Sequence, residues 1–355
     1  MRPGTGRNII QMKPSIDEFQ LNTLVLGRPK GGKSSAIYYW LSQMMLLPIL
    51  ILDIKNIWRY RAERLNAKVI SPPFYIDLEP PRGIPWYNWV FSVLDGLAII
   101  TGLQYGVVPL IEAAKIALQQ REQYIKQTRQ NTSLSLMDIY YALDFVYLSD
   151  FKRDYILSCK TALKLILGPN EEFSTREGLP LYSIFAGRYI IECCYLSMIQ
   201  CRFLSFYLLN YLLQASYHCL EYASLTRLVF IDDSSAFINR PDNAFGSAPK
   251  TSFWGHLLSK LRGSGTGLIF ADQLVQPIFD DIKQLCTNWV IVGGLRDTQN
   301  YNEVMAAMNL TREQADYIGK MKTKECVAYF PGLYHRPVHG LIPNVPSIAE
   351  GQFNG

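Results

Sequence analysis

The sequence has little of what zinc proteins and disulfide-stapled proteins are built from. Only 4 of its 355 residues are His, and its 7 Cys include no Cys-x-x-Cys pair, so we expect neither a structural zinc nor a disulfide framework. Charged residues make up only 18% of the chain and apolar residues 49%, which excludes wholesale disorder and allows a sizeable core. We expect a reduced intracellular protein of two or three packed units.

Long apolar runs are also missing. Met44–Leu52 is too short to span a bilayer, and Leu94–Ile111 contains Asp95 and is interrupted by glycines and Pro109. The leader, residues 1–20, carries basic residues with no apolar core behind them, so it does not predict a secretory signal. We therefore expect no transmembrane helix, no membrane partner and a cytoplasmic location.

Two stretches of the chain, residues 21–90 and 226–342, alternate strands and helices as nucleotide-binding α/β units do. In the first, the strand Leu21–Leu26 leads through a glycine-rich turn into the helix Ser34–Leu47 and the strand Ile49–Asp53. The other predicted strands, which end in a hairpin, are Lys68–Ile70, Arg227–Ile231, Gly267–Ala271, Asn288–Val292, Glu325–Phe330 and His335–Ile342. Residues 343–355 are predicted to be a flexible tail.

Residues 91–225, between these stretches, follow a helical period instead. Val107–Thr128 is amphipathic, Ser135 begins a helix with Asp138 in capping-box position, and the helical pattern continues through Arg188–Tyr222. We predict one α/β core with a large all-helical insertion. The charges of the insertion nearly balance, so we expect it to dock a protein partner or to pack against neighbouring subunits rather than to bind nucleic acid.

The loop between the first strand and the first helix matches G-x-x-x-x-G-K-[ST] at every fixed position. Glycines in such a loop let backbone N–H groups surround phosphate oxygens, while Lys33 reaches the β- and γ-phosphates and the Ser34 hydroxyl binds Mg²⁺. Since the flanking strand and helix are both predicted, we expect a P-loop that binds ATP and Mg²⁺. The predicted nucleotide-binding residues are Gly27, Arg28, Pro29, Lys30, Gly31, Gly32, Lys33, Ser34 and Ser35.

A P-loop also needs a carboxylate on a neighbouring strand to hold Mg²⁺, and hydrolysis needs a base that orients water. The strand Arg227–Ile231 is followed by Asp232 and Asp233. We predict that Asp232 is the metal-side carboxylate and that Asp233 is the base. Gln273 follows a strand expected beside the P-loop strand, where an amide could sense the γ-phosphate or position water. It is equally compatible with a simple turn residue.

Two arginines are candidates for a finger inserted into the site of a neighbouring subunit. Arg262 lies before the strand Gly267–Ala271, and Arg296 lies just after the strand Asn288–Val292. A surface arginine is usually solvated, so neither position is specific by itself.

Non-specific DNA binding needs clustered Lys and Arg, and the net charge of +5 is too small to argue for it alone. Lys55–Lys68 and Arg240–Arg262 are basic segments with interleaved aromatic residues. Each is equally well explained as a solvated basic face with aromatics packed below it. The candidate DNA contacts in these segments are Arg59, Arg61, Arg240, Lys250 and Lys260.

Taken in order, these motifs resemble the FtsK–HerA superfamily of DNA-pumping ATPases, most closely the motor domain of conjugative coupling proteins of the TraG/TraD kind. The resemblance rests on Gly27–Ser34, Ile51–Lys55, Val229–Asp233 and Arg262–Gln273, with the insertion between the second and third motifs. It implies a RecA-like P-loop NTPase core assembled as a homohexameric ring around double-stranded DNA, with ATP at the subunit interfaces. It also implies that Arg262 is the trans-acting finger and Gln273 the sensor.

The chain departs from this family at one catalytic position. The family's usual Glu after the first acid is Asp233 here, one methylene shorter, so we expect water to be held less closely. We also expect neither a membrane anchor nor the β-barrel of HerA, and therefore a nearly bare motor recruited by a partner or by the insertion.

The leading hypothesis is an ATP-driven double-stranded DNA translocase for DNA transfer, packaging or mobile-element processing. The alternative is an assembly or switch ATPase that oligomerises on ATP and recruits partners without pumping DNA.

Overall fold

The computed structural model describes residues 10–103, 107–146, 153–170, 172–174, 181–216, 224–238, 253–274, 280–295 and 298–344. These residues form a ten-stranded sheet and a set of α-helices that confirm the predicted α/β class. The strands are β1 (Ile10–Gln11), β2 (Thr23–Leu26), β3 (Ile49–Asp53), β4 (Lys68–Ile70), β5 (Arg188–Glu192), β6 (Arg227–Asp232), β7 (Thr266–Asp272), β8 (Asn288–Val292), β9 (Glu325–Tyr329) and β10 (Val338–Leu341).

The helices lie between these strands and, for most of the chain, alternate with them. They are α1 (Lys33–Gln43), α2 (Trp86–Thr101), α3 (Val108–Thr128), α4 (Leu136–Ala142), α5 (Arg153–Leu167), α6 (Met198–Ser216), α7 (Ser234–Phe237), α8 (Phe253–Arg262), α9 (Asp280–Leu285), α10 (Thr298–Met308) and α11 (Arg312–Ile318). Among the described residues, none of these helices is both long enough and apolar enough to cross a bilayer.

The sheet has the order β1-β10-β9-β8-β2-β7-β6-β3-β5-β4. The strand β2 pairs in parallel with both β7 and β8, and β7 separates it from β6. The strands β9 and β10 form the predicted antiparallel hairpin. Because the C-terminal ends of parallel strands meet at one side of a sheet, the segments after β2, β3, β6 and β7 lie together there. We call these segments, residues 27–34, 53–61, 232–235 and 272–274, the carboxyl edge.

Apolar side chains cover both faces of the sheet, which is why its central strands are almost continuously apolar. Successive residues of β2 alternate between the faces, as a pleated strand requires. Val25 packs with Trp40 of α1 in one buried cluster. Leu24 and Leu26 belong to a second, larger cluster with Phe206 of α6 and the helices inserted after β4.

The helices α2–α5, residues 86–167, lie in sequence between β4 and β5, and we call them the helical block. Helix α2 approaches α6 so closely that a Cβ on Gly96 would stand 2.2 Å from a ring carbon of Phe206. Helix α4 begins at Ser135, whose side chain and that of Asp138 form the predicted capping box. Helices therefore dominate the described residues between Trp86 and Leu167.

The predicted all-helical character of residues 91–225 needs one correction, because β5 lies inside this range. Residues Arg188–Glu192 were predicted to begin a helix, yet they form a parallel strand between β3 and β4. The run Arg-Tyr-Ile-Ile-Glu has an apolar centre of only three residues, and so short a run cannot be assigned to strand or helix from periodicity alone. The helical block therefore ends before β5, and α6 connects β5 to β6 as part of the α/β core.

Candidate functional site

The loop between β2 and α1 fits closely against the end of β8. A Cβ on Gly27 would stand 2.0 Å from the carbonyl oxygen of Val292, and one on Gly31 would stand 2.8 Å from the same atom. Gly32 has a φ of +109°, a conformation that strains other residues. Glycine is therefore required at all three positions. The loop ends at the N-terminus of α1, whose first N–H groups have no intrahelical partner and can bind anions.

Lys33 is the first residue of α1 and is buried within this loop. Its Nζ donates hydrogen bonds to the carbonyl oxygens of Gly27, at 2.6 Å, and Arg28, at 3.2 Å. Burial lowers the pKa of Lys33, and the positive charge of Lys55 lowers it further. An anion bound in the loop would favour the charged amine and so oppose both effects. The cradle therefore suits a phosphate group.

The two acidic residues at the end of β6 have different partners. Asp232 is buried and accepts hydrogen bonds from the indole N–H of Trp58, at 3.1 Å, and the backbone N–H of Asp233, at 3.2 Å. The backbone of Asp233 is in the left-handed conformation, with a φ of +49°. The Asp233 carboxylate forms an ion pair of 2.5 Å with Lys55. The sharp turn at Asp233 thus sends the two neighbouring carboxylates to different sides.

The surroundings of Asp232 fit the predicted Mg²⁺. Burial raises the pKa of its carboxyl, against the lowering effect of the Trp58 hydrogen bond, so a nearby cation would favour the ionised form. Asp232 lines a cleft of about 290 Å³ with Lys33 and Ser34. A carboxylate and a hydroxyl beside a phosphate-binding loop are the oxygen ligands that Mg²⁺ takes in such sites. Within the described part of the chain, no cluster of three or more His, Cys, Asp or Glu side chains could hold a metal unaided.

The turn after β3 supplies side chains to both acids of β6. Asp53 is fully buried, and its carboxylate accepts hydrogen bonds from the backbone N–H groups of Lys55, at 3.1 Å, and Trp58, at 2.7 Å. Burial raises the pKa of Asp53, and these backbone donors act against that rise. Asp53 therefore shapes the turn from which Lys55 reaches Asp233 and Trp58 reaches Asp232.

The end of β7 is tied to the segment after β6. Gln273 lines the same cleft as the P-loop and Asp232, so the structure brings the predicted sensor together with the predicted nucleotide site. The neighbouring Asp272 is buried and accepts hydrogen bonds from the backbone N–H groups of Gln273 and Ser235, both at 2.7 Å. It also accepts one from the Ser234 hydroxyl at 3.2 Å. Asp272 therefore fixes Gln273 relative to the segment that carries Asp233.

Sequence reasoning did not single out Asp272, although its position directly after an apolar strand was a usable signal. It also missed the wall of the cleft formed by Thr323 and Lys324. The backbone N–H of Lys324 donates a 2.9 Å hydrogen bond to the carbonyl oxygen of Gly31. No motif marks this contact, because nearly the whole chain separates the two residues.

The candidate arginine fingers have different outcomes. Arg262 is the last residue of α8, directly before β7 as the sequence predicted. Arg296 lies outside the described residues. Arg28, predicted to contact nucleotide, donates a 3.1 Å hydrogen bond from its guanidinium to the carbonyl oxygen of Met321, which ties the P-loop to the segment after α11. The positions of Arg262 and Arg296 do not decide which of the two arginines is the trans-acting finger.

The candidate DNA contacts are dispersed. Arg240 and Lys250 lie outside the described residues, and Lys260 is exposed on α8. Arg59 forms a 2.9 Å ion pair with the buried carboxylate of Glu192. Its charge is therefore compensated within the protein.

The prediction that Arg61 contacts DNA needs correction. Its guanidinium donates a 2.8 Å hydrogen bond to the carbonyl oxygen of Ser34 and lies 4.8 Å from the ring centroid of Trp58 and 5.1 Å from that of Tyr38. Burial lowers the pKa of Arg61. A guanidinium held between two rings and a backbone carbonyl supports the P-loop helix, so the basic run of the sequence did not mark a DNA-binding face at this position.

Comparison with known proteins gives a match in fold alone. The sequence matches no family model and no curated protein. The structure is similar to VirB4 of Thermoanaerobacter pseudethanolicus, with a TM-score of 0.66 and 14% identity over 92% of this chain and 90% of that one. It is also similar to the bacterial conjugative coupling protein TrwBΔN70, with a TM-score of 0.60 and 15% identity over 93% of this chain and 86% of that one.

TrwB in complex with the non-hydrolysable GTP analogue GDPNP matches with a TM-score of 0.59, at 15% identity over 92% of this chain and 86% of that one. The resemblance predicted from the motifs is thus confirmed for the fold. The chain therefore has an α/β, RecA-like core with the fold of VirB4 and of TrwB.

Proposed function

We propose that this chain is an ATPase that uses ATP and Mg²⁺ to move double-stranded DNA, working as a homohexamer in the cytoplasm. The observation that carries the proposal is the convergence of the P-loop, Asp232 and Gln273 on one cleft in a fold shared with a conjugative coupling protein. The process served would be DNA transfer, packaging or mobile-element processing.

Different residues of the carboxyl edge would have different roles in ATP hydrolysis. Lys33 and the N–H groups of the P-loop would hold the phosphates, and Ser34 and Asp232 would hold Mg²⁺, which when bound neutralises charge that develops on the phosphates. Asp233 would accept a proton from the attacking water, which requires its carboxylate to leave Lys55. Gln273 would then sense the γ-phosphate from the end of β7.

The remaining proposed contacts are with a neighbouring subunit, with DNA and with a protein partner. Arg262 or Arg296 of a neighbouring subunit would complete the site. Arg240, Lys250 and Lys260, with Arg59 if its ion pair opens, would contact the DNA backbone, which carries charge but little sequence information. The helical block would dock a protein partner or a neighbouring subunit.

A second candidate function is an assembly or switch ATPase that oligomerises on ATP and recruits partners without pumping DNA. The observation that favours it is the ion pair of 2.5 Å between Lys55 and Asp233. The ion pair occupies an oxygen of the carboxylate that would have to contact the attacking water, and an aspartate reaches less far than a glutamate. Both features favour slow turnover.

The decisive experiment measures ATPase rate with and without linear double-stranded DNA, in wild type, Lys33→Ala and Arg262→Ala. For a motor, DNA should raise the wild-type rate several-fold, and both substitutions should abolish hydrolysis. Lys33→Ala should lose ATP affinity because the phosphates lose their buried cation. Arg262→Ala should still bind ATP, because a trans finger stabilises the transition state rather than the bound nucleotide.

The outcomes separate the two functions. If the ATPase rate depends on Lys33 but does not change with DNA, and the protein oligomerises on ATP, the translocase function is rejected and the switch ATPase is supported. Absence of ATP binding in wild type would reject both.

A further inference from the structure

The turn after β3 contacts both residues proposed to hold Mg²⁺, although they lie on different elements. Trp58 donates its indole N–H to Asp232 Oδ2 at the end of β6, at 3.1 Å. Arg61, three residues later, donates to the carbonyl oxygen of Ser34 at the start of α1, at 2.8 Å. The guanidinium of Arg61 lies 4.8 Å from the centroid of the Trp58 ring. One stacked pair of side chains therefore links the two proposed ligands.

This pair is held rigidly enough to orient a carboxylate. Trp58 is fully buried, its backbone N–H is bound by Asp53, and its ring meets Phe230 edge-on with centroids 4.9 Å apart. Indole is a donor only, so it fixes one oxygen of Asp232 as an acceptor. On the other side Arg61 lies within cation–π distance of Tyr38 as well.

We propose that Trp58 and Arg61 are positioning residues for the Mg²⁺ site, with the indole N–H setting the orientation of the Asp232 carboxylate and Arg61 setting Ser34 relative to it. This inference rests on the proposed function. Groups that orient the ligands of a metal without touching it typically change metal affinity by about 10–100-fold when removed. The pair acts through Asp232 and Ser34, the two proposed Mg²⁺ ligands.

The test compares ATP binding by calorimetry with Mg²⁺ and with a chelator in wild type and Trp58→Phe. Phenylalanine keeps an aromatic ring beside Arg61 and Phe230 but removes the N–H. In Trp58→Phe the Mg²⁺ concentration that half-saturates its effect on ATP affinity should rise about tenfold or more. ATP affinity in the chelator should stay within about twofold of wild type, since the P-loop contacts remain.

Trp289→Phe is the matched control, because Trp289 is also buried and donates its indole N–H to a backbone carbonyl, that of Cys286, at 2.8 Å. It should leave the Mg²⁺ response as in wild type. Arg61→Lys, which keeps the charge but loses the planar stacking group, should weaken the response in the same direction. Thermal unfolding of each variant checks that the fold persists.

Two results would overturn the inference. One is a Mg²⁺ response in Trp58→Phe equal to that of Trp289→Phe, or, if Trp58→Phe does not fold, an unchanged response in Arg61→Lys. The other is an equal loss of ATP affinity with and without Mg²⁺, which would mean that Trp58 acts on the P-loop through the fold. If wild type itself binds no ATP, it is the proposed function that fails.

Discussion

The carboxyl edge of the sheet and the helical block use buried positions in opposite ways. At the carboxyl edge Lys33, Asp53, Asp232 and Asp272 are all buried, and the side chain of each has hydrogen-bond partners. In helix α5 of the block the buried positions are filled by uncharged side chains such as Leu163. Burying charge is costly unless it is paired, so its concentration at one edge marks where chemistry rather than packing has set the sequence.

Exposed positions do not separate the two regions, since Tyr60 and Leu274 of the carboxyl edge are large, apolar and exposed. The helical block carries large apolar side chains on its surface, with Tyr141 59%, Phe145 61% and Leu157 62% exposed. Single exposed apolar residues are ordinary. The difference in buried positions between the two regions predicts that substitutions at the carboxyl edge change activity while the fold stays intact, and that substitutions inside the block change stability while the site stays intact.

The largest expected effect comes from Asp233→Asn. Asn tolerates the left-handed backbone found at this position, and the amide cannot accept a proton from water. The turnover number should fall about 100-fold or more, as for loss of a general base, while ATP binding is retained. Steady-state ATPase assays and ATP calorimetry measure the two quantities separately.

The matched control lies in the helical block, where Asp144 also forms an ion pair with a lysine, Lys160. Asp144→Asn removes the same kind of carboxylate and the same kind of pair. Its ATPase rate should match wild type. Equal losses in the two variants would mean that the assay reports general destabilisation, and the contrast between the two regions would fail.

The next effect concerns stability and uses two leucines of α5. Leu163 is completely buried, whereas Leu157 is 62% exposed. Leu163→Ala should lower the free energy of unfolding by about 2–5 kcal/mol, because it leaves a cavity. Leu157→Ala should change it by less than about 0.5 kcal/mol.

Denaturant unfolding measures both values, and ATPase rate per folded molecule should be the same in the two variants. A lower rate for Leu163→Ala at full folding would show that packing in the block is coupled to the carboxyl edge.

The sequence was most informative where a local pattern carries the chemistry. The P-loop, the acids after β6 and the strand before Gln273 all follow from short motifs next to apolar runs, and the structure joins them in one cleft. The helical block was also visible, down to the capping box at Ser135. Its end was not, because β5 has only three apolar residues in a row between Arg188 and Glu192, too short a run to distinguish from a helix by periodicity.

What could not be predicted depends on contacts between distant parts of the chain. Arg61 belongs to a basic run, and only the fold reveals that its guanidinium lies between Tyr38 and Trp58. Trp58 meets Asp232 across 174 residues of sequence. Spacing rules describe neighbours on one helix or strand, so they carry no information about such pairs.

The smallest expected effect concerns Asp77, which lies outside the carboxyl edge and, like Asp53 and Asp232, carries a buried carboxyl group. Asp77 is buried between β4 and α2, where its carboxylate accepts a 3.1 Å hydrogen bond from the backbone N–H of Glu79. Burial raises the pKa of Asp77 to about 6 from its usual 3.8. The folded state therefore holds this proton more tightly than the unfolded state, and its stabilising contribution, complete below about pH 4, is lost as the pH rises through about 6.

Asp77→Asn keeps an oxygen that can accept from Glu79 but cannot ionise. Relative to this variant, wild type should lose up to about 3 kcal/mol of unfolding free energy between about pH 4 and about pH 7.5, since one pKa unit corresponds to about 1.4 kcal/mol. Asp144→Asn, at a position where the side chain is 62% exposed, serves as the comparison and should follow wild type across this range. If the stabilities of wild type and Asp77→Asn instead change in parallel, the carboxyl group of Asp77 does not titrate between about pH 4 and about pH 7.5. The contrast between the carboxyl edge and the rest of the described structure would then hold at Asp77 as well.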